Sequence, residues 1–152
     1  MLRAEKFVNR VLTENGQIIN ANRKREIIAL VYIIYWLGLN LSKFSKTEVQ
    51  LTMIALTSTA HSYFKNEPQL GITTSFLRDS IRGYSKALER STSKSLTNLG
   101  SDLVGYFMRV SDIDVMNDID DLDSFFDVVS MTVVSAISRN NELSIDHKVT
   151  KN

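Results

Sequence analysis

The chain has 152 residues, the length of one ordinary domain, with 43% apolar and 23% charged residues, the balance of a folded globular protein and not of a disordered one. It holds no cysteine, which excludes disulfides, thiolate metal sites and cysteine nucleophiles; six glycines and one proline are too few breakers for many tight β-turns. The formal net charge of +1, taken whole, argues against an obligate nucleic-acid binder.

Apolar spacing predicts helices almost throughout. Leu2, Phe7, Val8, Val11 and Leu12 share one stripe of a first helix, and Asn15-Gly16 supplies its stop. Residues 27–39, IIALVYIIYWLGL, are apolar without interruption and follow Arg23-Lys24-Arg25. Basic then apolar is the order of a signal peptide or anchor. Here, however, the stretch begins behind an amphipathic segment, and Asn40-Leu41-Ser42-Lys43 follows it instead of a small-residue cleavage site. Extended to Leu41, such a helix reaches about 22 Å against a hydrocarbon core of about 30 Å. The stretch therefore predicts a central core helix in a soluble, cytoplasmic protein.

Ser45-Lys46-Thr47-Glu48 fits the capping box, with Phe44 and Val49 at the staple positions. Val49, Met53, Leu56, Ala60 and Phe64 then recur at helical spacing, and Asn66-Glu67-Pro68 ends the third helix. Thr73 or Thr74 can cap a fourth helix with Leu77, Ile81, Tyr84 and Leu88 inside. A break near 91–93 separates it from a fifth carrying Leu96, Leu99, Leu103, Phe107 and Val110. The last helix reads Leu122, Phe125, Phe126, Val129, Val133, Ala136 and Ile137. The expected fold is all-α: a single bundle of about six helices over 1–141, then a loose polar tail at 142–152.

The net charge conceals an asymmetry. Residues 1–100 carry 14 Lys and Arg against 7 Asp and Glu, and residues 101–152 carry 4 against 10. Asp112, Asp114, Asp118, Asp120, Asp121, Asp123 and Asp127 form an acidic run with no Lys or Arg between Arg109 and Arg139. An EF-hand template fails on it: starting from Asp112, Met116 occupies the fifth position and Asn117 the glycine site. Carboxylates at a helix start are favoured by the unpaired N–H groups there, at about 0.3–1 kcal/mol each. That accounts for two or three of them and leaves the remainder as a surface for a basic partner.

Arg23, Lys24 and Arg25 are contiguous, and Arg78, Arg82, Lys86 and Arg90 recur at steps of four, which makes one basic stripe on a helix. These seven are the candidate polyanion site, although no helix-turn-helix or RNA-binding signature accompanies them. Catalytic signatures are missing from the sequence. His61 and His147 are the only histidines, and there is no G-x-S-x-G, Walker A or G-x-G-x-x-G sequence. The expectation is a non-enzymatic module without cofactor or metal. It binds a protein partner through the acidic run, as an immunity or antitoxin-type inhibitor would. The alternative is a nucleic-acid-associated subunit using the basic residues, and a third reading is a homo-oligomer whose charged halves pair between subunits.

Overall fold

The computed structural model describes residues 2–90, 96–114 and 122–150, without the side chains of 2, 62–64, 96–97, 122 and 144–150. Among them the chain forms six α-helices and no strand: α1 (Leu2–Glu14), α2 (Ala21–Asn40), α3 (Lys46–Lys65), α4 (Thr74–Glu89), α5 (Leu96–Val110) and α6 (Leu122–Thr150). A 3-10 turn, Pro68–Leu70, joins α3 to α4. The all-α bundle read from the apolar periodicity is the fold. The break expected near 91–93 lies outside the described residues, as do Asp118, Asp120 and Asp121 and the side chains of Phe64, Leu96, Leu122 and His147.

Local chemistry sets most helix ends. The Asn20 side chain accepts from the Arg23 N–H at 2.9 Å and starts α2. In the capping box of α3, Glu48 N–H donates to Ser45 Oγ at 3.3 Å and Ser45 N–H donates to Glu48 Oε2 at 2.7 Å. Thr73 Oγ1 accepts from Phe76 N–H at 3.1 Å to start α4. Helices α1 and α5 end alike, in a left-handed residue followed by a long backward bond. At α1 this residue is Gly16 (φ 73°), and Gln17 N–H reaches Leu12 O at 2.9 Å. At α5 it is Asp112 (φ 54°), and Ile113 N–H reaches Met108 O at 2.9 Å. Asp112 is thus a helix stop as well as a member of the acidic run.

Helix α2 occupies the centre. From Ile27 to Ile34 no residue is more than 3% exposed, and α1, α3, α4, α5 and α6 all pack against it. An apolar surface all round is required only of such a helix. No helix among the described residues is long and apolar enough to cross a membrane.

The α5–α6 pair packs most extensively, then α2–α6. Gly100 of α5 lies against Phe126 and Ser130 of α6, and its N–H donates to Ser130 Oγ at 2.8 Å. Arg23 at the start of α2 reaches the end of α5, whereas Gly38 near its end lies against Ala136 of α6. Because α5 and α6 form a hairpin, α2 and α6 run in the same direction.

The tail differs from expectation: α6 continues as helix to Thr150. Asn140 Nδ2 donates to Gly38 O at 3.2 Å, and Lys43 N–H donates to Asn141 Oδ1 at 2.6 Å. These asparagines tie α6 to the end of α2 instead of competing for their own backbone, which is how asparagine ends helices. No glycine or proline follows Gly105 to stop the helix.

Candidate binding surfaces

The described members of the acidic run lie at one end of the bundle, where the ends of α1 and α5 meet the starts of α2 and α6. Asp112 and Asp114 follow α5, and Asp123 and Asp127 lie in the first turns of α6; all four are exposed. Asp112, Asp123 and Asp127 make no ion pair among the described residues. Among those residues, no group of three or more His, Asp or Glu side chains could hold a metal ion.

Arg23, at the start of α2, reaches this end without pairing with a carboxylate of the run among the described residues. Its guanidinium donates to three backbone carbonyls: Nη1 to Ile18 at 2.9 Å, Nη2 to Asp112 at 3.1 Å and Nε to Ser111 at 3.3 Å. The side chain holds the α1–α2 link and the end of α5 to the start of α2. The other two members of the triplet are also engaged within the fold. Lys24 Nζ donates to both oxygens of Glu67, at 2.6 and 2.8 Å. Arg25 lies over the Phe76 ring of α4, 4.8 Å from its centroid, and donates to Asn22 Oδ1 at 3.0 Å. Successive helix positions point about 100° apart, so contiguous charges face different neighbours.

The α4 stripe is different. Arg78, Arg82, Lys86 and Arg90 are all exposed. Arg82 lies 3.8 Å from Asp79, and the other three make no ion pair among the described residues. The structure therefore splits the seven-residue polyanion set into an engaged triplet and an open stripe.

Between α2, α4 and α5 lies a polar cluster that the sequence did not mark. Glu26 is 8% exposed, and burial pushes its carboxyl above the usual range while Arg25, 3.7 Å away, offsets part of this. Tyr84 is fully buried and its hydroxyl has no hydrogen-bond partner among the described residues; burial, then the Glu26 charge, then Tyr106 push it well above the usual phenol value. Tyr106 stacks tilted on Tyr84 with centroids 4.5 Å apart, and its hydroxyl occupies the space a Cβ on Gly83 would take.

The sign of the resulting pH dependence follows from Glu26. The folded state keeps a proton that the unfolded chain has already released. Stability is therefore complete below the ordinary carboxylate range and falls as pH rises from there to the raised folded value. Glu26→Gln is expected to abolish that fall, leaving the variant more stable than the parent above the window. Urea unfolding across this pH range measures it, and a parent stability that rises through the window would contradict the assignment.

Clefts of about 350 and 280 Å³ open along the α1–α6 seam. They share Phe7 and Val128 in their walls, and Phe7 meets Phe125 edge-on at 6.0 Å between centroids. A third, apolar groove of about 250 Å³ separates α3 from α6 above α2. His61 is exposed on α3, with Nε2 3.2 Å from Thr74 Oγ1.

No family model, curated protein or solved structure matches this chain.

Proposed function

We propose that the protein is a non-enzymatic binding module whose acidic end takes a basic surface of a protein partner. The supporting observation is the disposition of Arg23. Its guanidinium donates to backbone carbonyls and not to a carboxylate of the run, so Asp112, Asp123 and Asp127 stay exposed and without an ion pair among the described residues. Complementary potential of this kind speeds encounter and fixes orientation. A toxin-neutralising immunity or antitoxin protein, covering the basic site of a nuclease, is one concrete form of this function.

The experiment is affinity capture from the native host with the parent chain and with a variant carrying Asp118, Asp120, Asp121 and Asp123 as asparagine. A partner retained by the parent and lost by the variant, with binding that weakens as salt rises, is the expected result. Capture that is unchanged by the four substitutions overturns the reading. The open α4 stripe favours the alternative of a nucleic-acid-associated subunit. A gel shift at low salt that Arg78→Ala and Lys86→Ala remove would select it.

A further inference from the structure

The centre of α3 carries no charge from Val49 to Ala60, yet among the described residues only one side of this helix is covered. Its described packing partners are α2 and the 3-10 turn. Leu51 is 62% exposed and Ile54 63% exposed, and Ala55 and Ser58 are also exposed. These positions follow the i, i+3, i+4, i+7 pattern, so they form one stripe on the uncovered face. The neighbouring threonines add little polarity to it. Thr52 Oγ1 donates to Glu48 O at 2.8 Å and Thr59 Oγ1 donates to Ala55 O at 2.9 Å, within the helix itself.

We infer that this face pairs α3 with α3 of a second copy of the chain, antiparallel about a twofold axis between Ile54 and Ala55. The stripe is polarised in size: Leu51 and Ile54 are large and lie towards the helix start, and Ala55 and Ser58 are small and lie towards its end. In an antiparallel pair, Leu51 faces Ser58 and Ile54 faces Ala55 of the partner copy, twice over. Each large side chain enters the gap left by a small one, the self-complementarity that a twofold interface requires. Charge favours the same arrangement. The uncharged centre brings no like charges together at the contact. The two helix dipoles also run opposed. Leu143, 55% exposed and one turn beyond the groove-lining Arg139 and Asn140, extends the apolar surface across the α3–α6 groove.

A helix of 20 residues is about 30 Å long. Its face alone supplies less than the roughly 800 Å² per partner of a standard stable interface, so the dimer is a weak, reversible one.

Pairing through α3 does not involve the acidic end. Sedimentation equilibrium from about 1 µM to about 1 mM should show a monomer–dimer equilibrium in this range. Leu51→Lys and Ile54→Lys should each weaken it at least about tenfold by placing a charge in the contact. Both positions are exposed, so circular dichroism should show an unchanged fold. The chain lacks cysteine, so Ala55→Cys, beside the axis, should oxidise to a covalent dimer, and Ser138→Cys on the exposed face of α6 should not. A chain that stays monomeric at about 1 mM, or a dimer that both lysine variants leave intact, overturns the inference. The asparagine variants of the acidic run should leave this dimer unchanged, so the two readings fail separately.

Discussion

Gly100→Ala should lower the stability of the protein by about 3 kcal/mol, although alanine is the better helix former by about 1 kcal/mol. A Cβ at this position would fall inside the contact distance of the Phe126 carbonyl oxygen and Ser130 Oγ, and 2.8 Å from the Phe126 carbonyl carbon. The obstacle is largely backbone in the middle of a helix, so no rotamer change relieves it, and α5 must lift away from α6. The lift also stretches the buried bond from Gly100 N–H to Ser130 Oγ. Gly105, in the same helix, is the control, because a Cβ there meets nothing within 4 Å. Gly105→Ala should therefore be neutral or gain up to about 1 kcal/mol. Chemical denaturation of the three proteins reads both signs, and equal gains at both positions would show that α5 and α6 do not cross so closely.

Phe107→Ala should cost about 3–5 kcal/mol and lower the melting temperature by about 10 °C for a chain of this size. The Phe107 side chain is completely buried in the core that includes Leu12, Ile33, Leu103 and Val129. Truncation loses its transfer free energy and leaves a cavity between helices that only partly relaxes. Phe107→Leu keeps most of the volume and should cost well under half as much. Thermal unfolding measures both variants. A loss below about 1 kcal/mol for Phe107→Ala would mean that the core closes over the gap.

Much of the fold was legible because its signals are local. The capping box at Ser45–Glu48, the Thr73 cap and the Asn15-Gly16 stop each depend on residues within a turn of one another. The apolar run at 27–39 announced a surrounded helix without help from its neighbours. The candidate surfaces were less legible. Arg23-Lys24-Arg25 reads as one basic patch, but each side chain meets a different element: the end of α5, Glu67 and the Phe76 ring. Asp112 reads as one more carboxylate, but its backbone also ends α5. The cluster of Glu26, Tyr84 and Tyr106 has no sequence signature, since its members come from three helices.

By itself the sequence determined the helical class, the end of α1, both ends of α3, the start of α4, the central helix and the separation of charge into a basic first part and an acidic second part. Spacing and capping act over a few residues, so one chain segment contains all the information they need. The tertiary structure decided which of those features remain available. It engaged the basic triplet with partners within the fold, left the α4 stripe and the acidic residues Asp112, Asp123 and Asp127 at the surface, held α6 helical past Asn141, and uncovered one apolar side of α3. Each of these outcomes depends on which helix lies across the way. That is set by close approaches such as Gly38 to Ala136 and Gly100 to Phe126, between residues far apart in the chain.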